Sequence, residues 1–202
     1  FEKYWPVIQL AGKDNLRQQS AMWQAMLMSA GITPSAHILI HGFITSDGQK
    51  MSKSVGNVIN PFDIVNEYGT DALRYYLLRE IPPFDDGDFT LRRFKEVYNA
   101  DLANGLGNLV ARVAKLCESV GVIPADASTP VKQAASLRPA QEREAKLQND
   151  YEKALSEYRF SDTLAFLWQK ITAVDKFINE EKPWALVKND TPRASSVLAH
   201  CV

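Results

Sequence analysis

Lys50 and Lys53 stand three residues apart among Ser52 and Ser54, with Gly48 and Gly56 on either side. Two ammonium groups with hydroxyls and free backbone amides can hold a polyphosphate. An ammonium aimed at charge that develops during phosphoryl chemistry stabilises the transition state more than the ground state. The flanking glycines permit turns that would let such a loop close over a ligand and reopen. Without context the same residues make a solvated Lys/Ser loop. Asn108 and Arg112 form a second pair, spaced so that an amide and a guanidinium share one helix face. Spacing alone reads that pair as ordinary solvated surface. Trp184 follows Pro183 and is either a core side chain or a ring presented outward by a chain bend. His37, His41 and His200 lack metal-ligand spacing and read as structural. Asp85, Asp86 and Asp88 read as an acidic turn able to cap the next helix, with metal binding the lesser alternative.

Bulk composition narrows the class. The 202 residues are 46% hydrophobic and 23% charged, which suits a soluble globular chain of one or two domains. Lys and Arg number 23 against 24 Asp and Glu. The resulting net charge of −1 excludes a dominant electrostatic grip on nucleic acid, so any RNA contact must come from a local patch or specific side chains. No apolar run approaches the ~20 residues of a membrane span, so no membrane partner is expected. Cys117 and Cys201 lack the Cys-x-x-Cys spacing of a zinc site and read as free thiols of a reducing cytoplasm. The opening Phe1-Glu2-Lys3-Tyr4, without Met or a signal pattern, reads as an excerpt from a longer protein.

The elements that must position these residues follow from periodicity. Residues 1–10 read as an extended entry. Apolar positions from Leu16 to Ala30, Trp23 and Leu27 among them, recur at helical spacing, and Gly31 ends the helix. His37–His41 reads as a buried strand, so this stretch predicts the last βα portion of a parallel sheet. Asn60-Pro61 starts a short helix ending at Gly69, and another begins at Thr70 or Asp71 and stops before Pro82-Pro83. Thr90 is an N-cap, with Phe89 stapling onto Phe94. Beyond it the pattern is helical: Leu91 to Leu102, then Leu106 to Leu116, as two helices or one kinked at Gly105 and Gly107. Residues 121–138 read as a loop, Pro139 opens a helix to about Tyr158, and Phe160 to Ile178 carries an apolar stripe with Trp168 in the core. Thr191-Pro192 begins a last helix. The fold class expected is mainly α, with the C-terminal edge of an α/β Rossmann-like domain over 1–46. A loop and connecting helices over 47–88 lead to an antiparallel helix bundle over 89–202.

The string Lys50-Met51-Ser52-Lys53-Ser54 resembles the signature loop of class I aminoacyl-tRNA synthetases. With His41-Gly42-Phe43 before it and Asp71-Ala72-Leu73-Arg74-Tyr75-Tyr76-Leu77 after it, the chain resembles the methionyl-tRNA synthetases. The similarity continues through Asp86-Gly87-Asp88-Phe89 and Asn108-Leu109-Val110-Ala111-Arg112 to Pro183-Trp184, and covers nearly the whole chain.

The resemblance implies a methionine–tRNA ligase, which activates methionine with ATP and transfers it to tRNA(Met) in the cytoplasm; no DNA partner is implied. It places the catalytic nucleotide fold, a His-Ile-Gly-His-type signature and a zinc-bearing insertion upstream of Phe1. Any structural zinc then lies outside this chain, and the fragment alone is expected to be inactive. Lys53 is the first catalytic lysine and Lys50 the second, with Ser52 and Ser54 beside them at ATP and its Mg2+. Asp14 is assigned to the adenosine ribose and Trp23 to the methionine pocket. Where the family usually carries a Phe-His pair, this sequence has Gln18 and Gln19, and glutamine cannot titrate near neutral pH as His does. Asn108, Arg112 and Trp184 correspond to the readers of the CAU anticodon, whose unstacked bases offer open Watson–Crick edges and faces for stacking. A non-catalytic tRNA-binding module and another class I synthetase stand as the alternatives.

Overall fold

The computed structural model describes residues 3–52, 54–121 and 138–201. Lys53, most of the stretch 121–138 expected as a loop, and the side chain of His200 lie outside the described residues. The chain divides into two compact units, Phe1–Phe94 and Lys95–Val202.

In the first unit, β1 (Ile8–Gly12) and β2 (His37–His41) pair in parallel, Ile8 opposite His37 through Gly12 opposite His41. A parallel pair needs a crossover. It is supplied by a π-helical turn, Gln18–Met22, running into α1 (Trp23–Ser29). Gln24 ties this helix to the return segment: its Nε2 donates to Ser35 Oγ at 3.2 Å, and Ser35 N donates to Gln24 Oε1 at 2.9 Å. The strand expected to be buried at His37–His41 is half-buried with exposed ends, because among the described residues it has β1 alone beside it.

The segment after β2 departs further from expectation. β3 (Ile44–Ser46) lies between β4 (Gln49–Lys50), antiparallel to it, and β5 (Gly87–Asp88), parallel to it. The acidic stretch expected as a turn and cap is therefore partly a strand, and the helix after it is capped by Thr90, whose Oγ1 accepts from Arg93 N at 3.1 Å. Gly42 makes the close approach possible. A Cβ there would lie 2.2 Å from the Asp85 carbonyl carbon and oxygen, so no side chain fits.

The helices α2 (Pro61–Tyr68) and α3 (Thr70–Glu80) come next, with Asn60 Oδ1 accepting from Phe62 N and Gly69 at φ 85° between them. Tyr76, 1% exposed, packs edge-on against Phe89 with ring centroids 4.9 Å apart, and Phe89 stacks on Phe94 at 6.0 Å. Aromatic pairs of this kind contribute about 0.5–1.5 kcal/mol beyond their area. The Phe89–Phe94 contact is the expected staple.

α4 (Leu91–Val97), a π-helical stretch Tyr98–Gly107 and α5 (Asn108–Val120) run on from one another without a break, so the glycines widen the helix instead of ending it. Gly121 at φ 69° terminates α5. In the second unit α6 (Arg138–Ser156) packs on α7 (Phe160–Glu181), and α5 packs on α8 (Pro183–Asn189) and α9 (Thr191–His200). Leu109, Val113 and Cys117 of α5 meet Ile178 and Leu198 in one core cluster, with Cys201 against it. Both cysteines are free, and burial pushes the Cys201 thiol up to about 11. No helix among the described residues is long and apolar enough to cross a membrane.

Candidate functional site

The lysine loop grows from a tight hairpin. Thr45 faces Lys50 and Ser46 faces Gln49, which leaves Asp47-Gly48 as a two-residue turn. Both have positive φ, 51° and 73°, as the hairpin turn that matches strand twist requires. The sequence signal was present, an Asp-Gly after β-branched Ile44-Thr45, but the expectation put Lys50 in a loop. It sits on β4 instead.

Past the strand, Ser52 and Asn57 close the loop. Ser52 O accepts from Val55 N at 3.2 Å and from Gly56 N at 3.0 Å. Asn57 Oδ1 accepts from Ser52 N at 2.8 Å, and Asn57 Nδ2 donates to Lys50 O at 3.2 Å. The Ser52 and Ser54 hydroxyls lie 2.7 Å apart. These bonds turn the chain back on itself and leave both hydroxyls at the surface.

A second cation converges on the hairpin. Lys13 Nζ lies 4.6 Å from the Phe43 ring centroid and Lys50 Nζ 5.1 Å from the same centroid. An aromatic face attracts ammonium groups through its quadrupole, and here it gathers two of them, which favours a polyanion close by. Lys13 also donates to both carboxylate oxygens of Asp86, at 2.6 and 2.7 Å, and Asp86 Oδ1 accepts from Phe43 N at 2.7 Å. The Lys13 ammonium, with the Phe43 amide, holds the Asp86 carboxyl below the usual carboxylate range. Two residues on, Asp88 Oδ1 accepts from Thr45 Oγ1 at 2.6 Å and from Gly48 N at 2.8 Å. Lys13, Phe43 and Asn57 carry no assigned role in the sequence reading, where Asp86 and Asp88 stand only as part of an acidic turn, with metal binding the lesser alternative. The two aspartates stand two apart in the sequence, Asp86 just before β5 and Asp88 on it.

The other residues assigned to the nucleotide and amino-acid end lie after β1. Asp14 is exposed in a 3-10 turn (Lys13–Asn15) at the C-terminal end of that parallel strand, where ligands of such sheets collect. Its Oδ1 accepts from Asn15 Nδ2 at 3.3 Å. Gln18 and Gln19 start the π-helical turn, Gln18 exposed and Gln19 half-buried. Trp23 is 37% exposed, so its ring has a face available.

In the second unit the structure brings Asn108, Arg112 and Trp184 together around two recesses. One, of about 360 Å³, is lined by Asn104, Asn108, Arg112, Trp168, Thr172 and Asp175 among others. The other, of about 350 Å³, is lined by Arg112, Lys115, Leu116, Ser119 and Trp184. Arg112 belongs to both. Its guanidinium is not a free solvated cation: one nitrogen pairs with Asp175 Oδ1, and Nη1 donates to Asn179 Oδ1 at 3.2 Å. Asn179 Nδ2 donates in turn to Asp175 Oδ2 at 3.2 Å, closing a three-membered ring of polar side chains. A partly exposed ion pair adds only about 0–1 kcal/mol to stability, so the ring's consequence is the orientation of the guanidinium. Trp168, expected in the core, is half-buried against this recess, because Gly105 lets its ring approach the π-helical backbone. Trp184 is 41% exposed, while Pro183 before it is buried. Lys182 at φ 49° makes the bend that separates the two. Asp175 and Asn179 escaped the sequence reading, although i,i+4 acidic and amide positions on one helix face were visible.

His41 Nδ1 lies 2.8 Å from Gly42 O. Among the described residues no three His, Cys, Asp or Glu side chains gather as metal ligands would.

The profile of the family tRNA synthetases class I (M) matches residues 1–114. A methionine–tRNA ligase of Synechocystis sp. is 41% identical over 199 residues, 95% of this chain and 36% of that protein. One of Fusobacterium nucleatum is 38% identical over 201 residues, 96% of this chain and 31% of that protein. A solved structure of Mycobacterium tuberculosis methionyl-tRNA synthetase in complex with methionyl-adenylate matches with a TM-score of 0.85 at 30% identity, over 100% of this chain and 40% of its own. The chain thus spans 30–38% of the length of the curated relatives it matches.

Proposed function

The chain belongs to the class I tRNA synthetases (M), and from that premise we propose that it is the part of a methionine–tRNA ligase that carries the ATP-phosphate loop and the anticodon reader. The reaction is attack of the methionine carboxylate on the α-phosphorus of ATP, with pyrophosphate leaving, followed by transfer of the methionyl group to tRNA(Met). Residues 1–46 belong to the catalytic domain, 47–88 to the signature loop and its connecting helices, and 89–202 to the anticodon-binding bundle.

At the loop, Lys53 and then Lys50 meet the charge that grows on the phosphate oxygens as the bond breaks, where a fixed ammonium lowers the barrier. Ser52 and Ser54 donate to phosphate or orient the loop. Asp14 takes the ribose, and Gln19 and Trp23 border the methionine. The relative from Mycobacterium tuberculosis was solved with methionyl-adenylate, a product of this chemistry. Any Mg2+ arrives with ATP and is held by its phosphates; the residues here supply cations and hydroxyls, not a ligand cage. The protein works in the cytoplasm.

The observation that carries the reading is Arg112, shared by two recesses that Asn108 borders on one side and Trp184 on the other. A guanidinium and an amide fork read a splayed base by its edge while an indole replaces its lost stacking. The test is binding of the full-length protein to methionine tRNA against the same tRNA with its CAU anticodon changed to that of valine. Tighter binding of the CAU form, by about 10-fold or more, is expected at ~1–3 kcal/mol per lost base contact. Equal affinities overturn the reading.

A further inference from the structure

We infer that Asp88 is a positioning residue for the lysine loop: its carboxylate clamps the hairpin from which Lys50 projects. The inference rests on the activity proposed above, because it assigns the loop an ATP-phosphate role.

The three short strands place Asp88, Thr45 and Lys50 in one row. Asp88 is the register partner of Thr45 in the parallel pair, and Thr45 is the partner of Lys50 in the antiparallel pair. Side chains of directly opposed strand residues share a face. The row therefore runs from a carboxylate through a hydroxyl to an ammonium. The Thr45 hydroxyl donates to Asp88 Oδ1 at 2.6 Å, and the backbone amide of Gly48, inside the turn, donates to the same oxygen at 2.8 Å. One atom thus fixes both the strand that faces Lys50 and the turn that leads to it.

Among the described residues the hairpin's other ties are few: Phe89 N donates to Thr45 O at 2.9 Å, Asn57 Nδ2 donates to Lys50 O at 3.2 Å, and Lys50 Nζ lies 5.1 Å from the Phe43 ring centroid, none of them at the turn itself. β4 has two residues and β3 three, so the ladder alone supplies few bonds. Gln49 and Lys50 are exposed, and Val55 further along the loop is 62% exposed, so apolar burial does not fix the hairpin either. Asp88 itself is fixed by the two residues after it, since Phe89 is 3% exposed among the aromatic rings and Thr90 caps the next helix. The carboxylate is thereby referenced to a packed core, and it transmits that reference to a loop with no core of its own. Chemistry that depends on an ammonium within about an ångström of its place loses on the order of 100-fold when the support shifts.

Both bonds end on Oδ1, so an asparagine that keeps a carbonyl oxygen there keeps both. The full-length protein is assayed by methionine-dependent ATP–pyrophosphate exchange as wild type, Asp88→Ala, Asp88→Asn and Thr45→Val. Asp88→Ala is expected to lower kcat about 10-fold or more with KM for methionine within about twofold. Asp88→Asn should recover most of the rate, and Thr45→Val, which loses one of the two bonds, should fall between. An unchanged kcat in Asp88→Ala overturns the inference. So does an Asp88→Asn variant as impaired as Asp88→Ala, since charge and not the bonds would then matter. If Asp88→Ala does not fold, Thr45→Val decides: a lowered kcat at an unchanged melting temperature supports the clamp, and a wild-type kcat overturns it. Absence of exchange in the wild-type protein overturns the proposed function instead, whatever the variants do.

Discussion

Lys50 projects from a two-residue strand whose root is tied by the oxygens of two exposed aspartates, whereas Arg112 stands on a 13-residue helix whose opposite face is core. Beneath Arg112 lie Leu109 and Val113, packed with Ile178 and Leu198, both 0% exposed. Among the described residues no comparable apolar layer lies under the hairpin, whose turn has two residues at positive φ and whose closing bonds come from Asn57. The difference fits two tasks. A group that must approach phosphate and then release it is best held by a few polar ties that can be remade, because elements with little buried apolar surface open at low free-energy cost. A group that must tell one base from another is best held on a packed helix, where its position is set before the ligand arrives. On the proposed function, the first region would work through charge and the second through geometry.

Removing the charge should therefore act on one region alone. Lys53→Ala in the full-length protein is expected to lower methionine-dependent pyrophosphate exchange by about 100-fold or more at saturating ATP, the range for losing one fixed donor at a developing charge. Binding of methionine tRNA should stay within about twofold of wild type, because Asn108, Arg112 and Trp184, the proposed anticodon readers, lie in the other compact unit. A parallel loss of tRNA affinity would erase the division of labour, and an unchanged exchange rate would remove Lys53 from the chemistry.

Trp184→Ala is the reciprocal change. The indole is 41% exposed and borders the recess it shares with Arg112. Its loss should weaken tRNA binding by about 5- to 150-fold, the equivalent of ~1–3 kcal/mol for one stacked base. Exchange measured without tRNA should be nearly unaffected, and helicity by circular dichroism should be retained because the buried neighbour Pro183 remains. Cooperative loss of helicity would make Trp184 a core residue and break the contrast on its helical side.

The two regions were also unequally legible. Helix starts at Asn60 and Thr90 and the Phe89–Phe94 staple could be read because each depends on residues near one another in sequence. Asn108 and Arg112 could be placed on one face for the same reason. The features that escaped were set by long-range pairing. Nothing local says that Gly87-Asp88 will lie beside Ile44-Thr45, since the two are about forty residues apart and every bond between them, backbone or side chain, is long-range. Gly42 shows the same limit. Its lack of a side chain matters only because the Asp85 backbone arrives there from elsewhere in the chain. Trp168 fitted the apolar stripe of its own helix, and only the approach of Gly105 explains why it borders a recess.

The smallest expected effect tests whether the hairpin's ties are electrostatic at all. Hydrogen bonding from the Lys13 ammonium, then from the Phe43 amide, holds the Asp86 carboxyl below the ordinary aspartate value of about 3.9. A folded-state pKa depressed in this way contributes stability above the unfolded value and loses it as the pH falls through the folded one. The Lys13–Asp86 tie is therefore intact at neutral pH and released only below about pH 4. Carboxyl carbon NMR titration of the full-length protein should show Asp86 with a midpoint below that of exposed aspartates. Lys13→Ala should raise that midpoint most of the way to the ordinary value, leaving the part due to the Phe43 amide. A midpoint that Lys13→Ala does not move would mean that the ammonium sits elsewhere in solution. The hairpin would then depend on the ties from Asp88 and Asn57, and its contrast with the helix-borne guanidinium would narrow to the Asp88 clamp.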